Sequence, residues 1–499
     1  MLTNREPIHI VWFKRDLRLE DHEPLQLALQ QKERVLCVFI FEQLLLEDPH
    51  YSQRHWDFIK ESIRDLNQQL EVYNTKVLTI NSDIISACNL ISNTFQIKTV
   101  YSHQETGILV TFDRDKSFKR YCKNNLITWK ESIHNGVVRG LINRETWFEN
   151  WNTIMAEPLI TFSAASSDFL DLETIKTLET QCKVTNLETK KEKPFQPGGT
   201  SIGLKYLNSF LKDRHKNYMF HISKPDKSRK SCSRLSPYIA WGNISVRQVY
   251  QSTKNAQTST SHKKQLSAFR SRLRWQAHFI QKFEMEHIME SSSVNKGYHK
   301  LKKNISDEYQ KAWREGQTGF PLVDASMRCL NETGYVNFRM RAMLVSFFTH
   351  ILWQPWQDAS KHLSQQFLDF EPGIHFPQLQ MQAGETGINN LRIYNPIKNS
   401  LEHDPDGVFI KFWVPELRAL DLPFVHEPYL MTTLDQQFNN FELGVHYPIP
   451  IVDLKLKRKR ASDVLWNMKK NSTVRSESLR ILQKHTLNNR SNLLKNDED

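Results

Sequence analysis

GQTGFPLVDASMRCLNETGYVNFRMR, residues 316–341, is the stretch that decides the fold. Gly316, Gly319 and Pro321 make a tight turn, with glycine free to take φ > 0 and proline fixing φ. Leu322, Val323, Met327 and Leu330 then recur at helical spacing, and Gly334 punctuates before a second helix. That helix begins at Arg339 and Arg341 and runs into the apolar residues 342–348. Two arginines at the mouth of a buried helix need an anionic partner, because an unpaired buried charge is very costly. In isolation the stretch equally fits a helical hairpin with a surface arginine pair.

Four further blocks stand around it. IVWFKRDLRLEDHEPLQLAL (residues 10–29) reads as a strand, a charged turn (Lys14, Arg15, Asp16, Arg18) and a helix start. Charges at the end of a parallel strand often sit at the ligand-binding edge of a sheet, and in any turn they are also ordinary surface charges. In SCSRLSPY (residues 231–238) the spacing predicts a helix with Ser236 at the N-cap and Pro237 at N1. The free N–H groups of such an end suit phosphate, and Arg234 adds donors; alone it is an ordinary capped helix. FRSRLRWQAHFIQKFE (residues 269–284) puts Arg272, Trp275 and Phe279 on one helix face. DFEPGIHFPQLQMQAGETGINNLRIYNPIKN (residues 369–399) closes the set with Asp369, Glu371, a lone His375 and a basic loop.

The chain has 499 residues and 39% hydrophobic content, enough for more than one domain with a sizeable core. Its 12 Trp and 28 Phe point to aromatic-rich interiors, and a formal net charge of +12 favours an anionic partner or cofactor. Six scattered cysteines, without a C-x-x-C pair, argue against structural zinc, iron–sulfur clusters or a disulfide framework. With neither a signal-peptide core nor a run of membrane-spanning length, the expectation is a cytoplasmic protein that makes no use of a membrane. Strands are predicted at residues 8–13, 35–41, 76–80 and 98–101, with a helix through Trp56, Ile59, Ile63, Leu66 and Leu70 between the second and third. Alternation of this kind implies a parallel, doubly wound sheet, and no G-x-G-x-x-G follows the first strand. Residues 135–199 read as a polar interdomain linker, and a helix through Leu204, Leu207 and Leu211 is expected to be capped by Thr200 or Ser201. The basic cluster at residues 455–460 fits nucleic acid, nuclear import or a solvated helix end.

Taken in order, the four blocks resemble the photolyase/cryptochrome family, with a leaning toward a divergent bacterial-type photolyase branch. The resemblance implies an α/β class: a Rossmann-like parallel domain over residues 5–134, a linker over 135–199, an all-helical FAD-binding domain over 200–475 and a polar tail over 476–499. FAD is then the expected cofactor, together with an antenna chromophore of unknown identity. Tyr218, Ser233, Arg234, Leu235, Ser236, Phe269, Arg341, Asp369 and Glu371 match flavin-binding positions, with Asp369 paired to Arg341. Cys232 replaces the usual Thr. Trp275 matches the aromatic that stacks on a flipped lesion, while Arg272 stands where an acid or amide is usual and Gln276 where an Arg is usual. His375 falls where many members place Asn facing the reactive flavin nitrogen, and Met381 where a second stacking Trp stands. Trp356 matches the middle of the electron-transfer chain, but Leu379 replaces its flavin-side neighbour. Arg339, Arg392 and Lys398 match contacts to DNA phosphates, and Phe338 occupies a usually polar position. The implied activity is light-driven repair of ultraviolet-damaged DNA by a monomeric deoxyribodipyrimidine photo-lyase, in which excited, reduced FAD passes an electron to a pyrimidine lesion. Its rival is a cryptochrome-like photoreceptor that signals through a partner without repair.

Overall fold

The computed structural model describes residues 5–190 and 194–485. Five strands form one parallel sheet: β1 (Pro7–Phe13), β2 (Arg34–Phe41), β3 (Leu78–Asn81), β4 (Gln96–His103) and β5 (Thr128–Ser132), in the order β3-β2-β1-β4-β5. Helices Glu23–Leu29, Gln53–Leu70, Ile84–Thr94 and Leu109–Asn124 make the crossovers. β1 and β2 are buried almost throughout, as central parallel strands covered on both faces must be. The predicted strands are present with shifted ends. β5 was missed because its sequence, TWKES, lies at the sheet edge half exposed and lacks an apolar run. Strand order reverses between β1 and β4, so the loops after Phe13 and His103 diverge there and open the edge where the second domain docks.

The region from 135 to 199 is more structured than a linker. The helix Trp147–Ala156 buries Trp147, Trp151 and Met155, and Leu172–Glu179 buries Ile175 and Leu178. Between them the Leu170 N–H donates to the Val35 carbonyl at 3.0 Å, so the segment returns to the α/β domain. Its polar composition hid this, because only a few large apolar residues carry the packing.

From Thr200 onward the described residues are helical, without a further strand. The helix Thr200–Lys212 is capped by Gly199 rather than by Thr200 or Ser201; the Thr200 hydroxyl donates instead to the Asn243 carbonyl at 2.9 Å. The deciding stretch folds as read, with helices Pro321–Thr333 and Phe338–Ser346 separated by Gly334 at φ 69°. The Gly334 N–H closes the first helix on the Leu330 carbonyl at 2.8 Å. A π-type turn, Phe347–Ile351, follows the second. Part of the expected polar tail is a helix, Ser472–His485, that buries Val474, Ile481 and His485, so the expected boundary at 475/476 falls inside it; residues 486–499 lie outside the described residues. No helix among the described residues is long and apolar enough to cross a membrane.

The two domains share buried surface. Leu17 N–H donates to the Trp241 carbonyl at 3.2 Å and Arg18 Nη1 to the Gly242 carbonyl at 3.0 Å. Gly242, at φ 72°, is required here: a Cβ would lie 2.1 Å from the Arg15 carbonyl oxygen.

Candidate functional site

Arg341 and Asp369 form a bidentate pair, with Nη1–Oδ1 at 3.0 Å and Nη2–Oδ2 at 2.9 Å. Arg341 Nε also donates to the Val336 carbonyl at 2.9 Å, and its guanidinium lies 4.1 Å from the Phe367 ring. Burial would raise the Asp369 pKa, but Arg341 and the Ser236 hydroxyl outweigh it and hold the carboxyl below its ordinary value. The anion expected for the arginines of the 316–341 stretch is Asp369 for Arg341 alone, and Ser236 ties it to the serine-rich turn; Arg339, half buried rather than buried, bonds the Tyr394 hydroxyl instead.

That turn departs from the expected cap. Leu235 is the N-cap of the short helix Ser236–Ala240, and Ser236 is already its first residue. Arg234 has φ 60°, a left-handed conformation rare for a long side chain and held here by its contacts. Its Nη2 donates to Gln196 Oε1 at 2.7 Å, and its guanidinium lies 3.9 Å from the Tyr335 ring. The Arg234 Nε is buried without a hydrogen-bond partner. An orphaned cationic donor beside Ser233 and Ser236 fits an anionic group such as a diphosphate. Arg214 supports the turn from below by donating to the Cys232 and Ser233 carbonyls. Burial pushes the Cys232 thiol up to about 12, so it is an uncharged packing residue.

Tyr218 and Phe269 are buried next to one another with ring centroids 5.8 Å apart, and Phe210 packs 4.7 Å from Phe269. Tyr335, not singled out in the sequence, sits between Arg234 and Arg341, the latter 5.7 Å from its ring. The signal for it was available in the deciding stretch, as an aromatic directly after the helix-ending Gly334.

Trp275 lies on the helix Lys263–Met285, its ring tilted 6.1 Å from Phe279 and edge-on to His278 at 5.4 Å. Arg272, standing where an acid or amide is usual, is exposed on the same helix and open to water. Its guanidinium is 5.9 Å from the Phe338 ring, and it pulls down the Tyr218 hydroxyl that burial pushes up. Arg339 also lies by the Phe338 ring, at 5.1 Å, and donates to the Tyr394 hydroxyl at 3.3 Å. Phe338 is 44% exposed, an open aromatic ring with two cations near it.

The remaining expected residues are dispersed. Glu371 turns toward the α/β domain, 3.5 Å from Arg15 Nη2; burial raises its pKa and Arg15 opposes the rise. Arg15 also donates to the Phe370 carbonyl and, at 3.1 Å, to the Ala240 carbonyl, which makes it a latch between the domains. His375 Nε2 lies 3.1 Å from both Oγ and O of Ser360, and burial lowers its pKa to about 3, so it is a neutral core histidine. Met381 is half buried in the helix Pro372–Gln382, which crosses Lys263–Met285 closely: a Cβ on Gly373 would lie 2.8 Å from the Ile280 Cα. Leu379 and Trp356 are buried, with Trp356 Nε1 donating to Ser293 Oγ at 3.1 Å. Arg392 is exposed, and Lys398 pairs loosely with Glu402 at 3.6 Å.

Comparison with known proteins bears on the family and the fold. The FAD binding domain of DNA photolyase matches residues 269–467, and DNA photolyase matches residues 9–139. The chain belongs to the photolyase/cryptochrome family. A deoxyribodipyrimidine photo-lyase of Alkalihalophilus pseudofirmus is 25% identical over 478 residues, covering 92% of this chain and 98% of the relative. A cryptochrome of Synechocystis superposes with a TM-score of 0.84 at 22% identity, covering 93% of this chain and 100% of the other. An archaeal photolyase of Sulfolobus tokodaii, solved with two FAD molecules, superposes with a TM-score of 0.75 at 23% identity over 92% and 99%. The relatives thus carry both names, photolyase and cryptochrome, on one fold, and FAD binding is common ground for this chain's helical domain.

Proposed function

We propose that this protein repairs ultraviolet-induced pyrimidine lesions in DNA by a light-driven reaction. The carrying observation is the exposed Phe338 ring with the Arg339 guanidinium 5.1 Å and the Arg272 guanidinium 5.9 Å from it, Arg272 sharing its helix with the Trp275–Phe279 pair. Cations at the rim suit phosphates, and exposed aromatic faces suit a base taken out of the stack. When bound and reduced, FAD supplies the electron that blue light promotes to the lesion, and receives it back after the lesion splits.

The chain's own residues bind, orient and screen. Ser233, Arg234 and Ser236 would hold the diphosphate, and Gln196 and Tyr335 fix the Arg234 plane. The Arg341–Asp369 pair keeps a carboxylate ionised, which would accept a hydrogen bond from the bound flavin. Trp275 would offer a stacking face to the extruded base, at an extrusion cost of a few kcal/mol that is lowest for a damaged step. Arg272 would stabilise negative charge on the lesion, modestly, because water reaches its guanidinium. Arg339 and Arg392 would neutralise phosphates.

One observation favours a photoreceptor as the second reading. The helix Ser472–His485 packs on the segment that carries Ser293: Arg480 Nη2 donates to the Val294 carbonyl at 2.9 Å, one residue from the Trp356 partner. An electron moving through Trp356 would be felt by that helix. The test is illumination of the purified, reduced protein with an ultraviolet-damaged oligonucleotide, scoring loss of each photoproduct against a dark control. Repair is expected. No loss of any photoproduct, with light-dependent protease sensitivity at residues 472–485, would replace it with the signalling reading.

A further inference from the structure

A groove of about 1030 Å³ lies between the helix Leu454–Lys470 and the 391–397 loop. None of the residues assigned above to flavin or lesion lines it. One helix face supplies Lys455, Arg458, Lys459, Ser462 and Trp466, which recur at steps of three and four. The loop supplies the opposite wall through Leu391, Ile393 and Ile397. Ile449 closes one end and is 59% exposed, and Trp466 is 53% exposed.

Among the described residues Lys455, Arg458 and Lys459 have no carboxylate partner, although Glu and Asp are plentiful in the chain. Asp453 also lines the groove, but its carboxylate is occupied as the helix N-cap, accepting from the Leu456 N–H at 2.8 Å. Asp463 is the acid left facing the groove. Of the neighbouring cations, Lys457 and Arg460 lie over the Tyr309 and Trp353 rings, away from the lining, while Lys469 is held 5.1 Å from the Trp466 ring and donates to the Asn389 carbonyl at 2.9 Å. The loop is shared: Arg392, exposed between two lining residues, turns outward toward solvent.

A cleft with an open indole, apolar walls and a row of unpaired cations along one edge meets the requirements of unpaired nucleotides. Base faces stack on the indole and the apolar wall, surfaces that a closed duplex does not offer, while phosphates follow the cations. A folded acidic protein would satisfy the charges but leave the indole and Ile449 uncovered. We propose that this groove binds a single-stranded stretch of nucleic acid, entering over Arg392 and stacking a base on Trp466. The site needs no lesion and no light, so it stands or falls apart from the repair reading.

The experiment uses the full chain, in the dark, with fluorescently labelled ten-nucleotide oligothymidylate free of damage. Trp466→Ala is expected to weaken binding by roughly 5- to 150-fold, the value of one base–aromatic stack. Each of Lys455→Gln and Lys459→Gln should flatten the dependence of log affinity on log salt by about 0.7, the single-strand value per phosphate. All three side chains are exposed, so flavin content and melting temperature should match wild type and certify the fold. A ten-unit abasic strand, which keeps the phosphates and loses every base, should bind the wild type at least as weakly as oligothymidylate binds Trp466→Ala. Equal binding of the abasic and thymidine strands overturns the proposal, as does unchanged affinity and slope in all three variants. Repair of an isolated damaged dinucleotide, too short to reach the groove, separates the readings. If wild type and Trp466→Ala both repair it while oligothymidylate binding is unaffected, the groove inference fails and repair stands. If neither repairs it while Trp466→Ala loses oligothymidylate, the groove stands without repair.

Discussion

Breaking the Arg341–Asp369 pair tests the centre of the helical domain, because the pair joins the helix Phe338–Ser346 to the segment before Pro372–Gln382. Removing one partner of a fully buried ion pair costs about 3–5 kcal/mol, mostly from the charge left behind. Here the side chains are unequally buried, 28% exposed for Arg341 and 6% for Asp369. Arg341→Met strands the more buried charge, so it should cost about 3 kcal/mol, at the lower limit because water reaches the arginine end. Asp369→Asn strands only Arg341, which keeps the Val336 carbonyl and the Phe367 ring, and should cost about 1–2 kcal/mol. The double variant leaves neither charge, so its cost should fall short of the sum of the singles by about 1.5 kcal/mol or more. Guanidinium unfolding followed by far-ultraviolet dichroism gives the cycle, and flavin released per chain gives the site. Because Asp369 is held below its ordinary value, its contribution is present above about pH 4 and is lost as pH falls through the depressed value. Arg341→Met should remove that part of the acid slope. Additive singles, within about 0.5 kcal/mol, with wild-type flavin content in both, would refute the reasoning.

Four further outcomes follow from the geometry. Trp356→Phe should slow photoreduction by external donors in transient absorption if the chain through Trp356 is used; with Leu379 in place of an aromatic relay, unchanged kinetics would shift the route to Tyr394, Trp353 or Trp313. Arg392→Ala should lower the log–log salt slope for damaged duplex by about 0.9, while Lys398→Ala should have an equal or smaller effect because Glu402 already sits 3.6 Å away; no change in either places the duplex elsewhere. Acid should release the helix Ser472–His485: burial lowers His485 to about 4, so its contribution is lost as pH falls from about 6.5 toward 4, while Glu286, lowered to about 2 by His485 and Arg480 against its own burial, loses its contribution below about 4.5. Protease cleavage within residues 472–485 at pH 4 but not at pH 7 checks it, and full resistance at both contradicts it. Arg272→Gln should lower single-turnover repair only several-fold at unchanged flavin content, since a solvated guanidinium stabilises charge weakly; complete loss would mean that the cavity closes over it when DNA binds.

The fold was legible because its evidence is local. Alternating strands and helices in the first third, and the apolar periodicity after Gly316, are short-range patterns, and the elements they imply are present. Local evidence failed where packing rests on a few residues in polar surroundings. Trp147, Trp151 and Met155 anchor a helix inside what composition reads as a connector, and Val474 and Ile481 do the same beyond the expected end of the domain. The edge strand Thr128–Ser132 was lost for the opposite reason, since an edge needs little hydrophobicity to pair.

The site divides along the same line, and sequence separation says why. Arg341 and Asp369 are 28 positions apart, within one helical subunit, and their pairing could be anticipated from an arginine that needs an anion. Arg15 and Phe370 are 355 positions apart, and nothing near either residue announces the latch that turns Glu371 away toward the α/β domain. A contact spanning 38 positions, from the end of the expected linker, sets Gln196 against Arg234, whose guanidinium lies 3.9 Å from the Tyr335 ring. The residues that bear charge can be read from type and spacing, whereas the residues that aim them come from elsewhere in the chain and appear only once the domains close. For that reason His375, whose place in the sequence suggests a reactive position, is held neutral by burial and bonded to Ser360, while Tyr335, marked in the sequence only as an aromatic after Gly334, is held between the two arginines of the site.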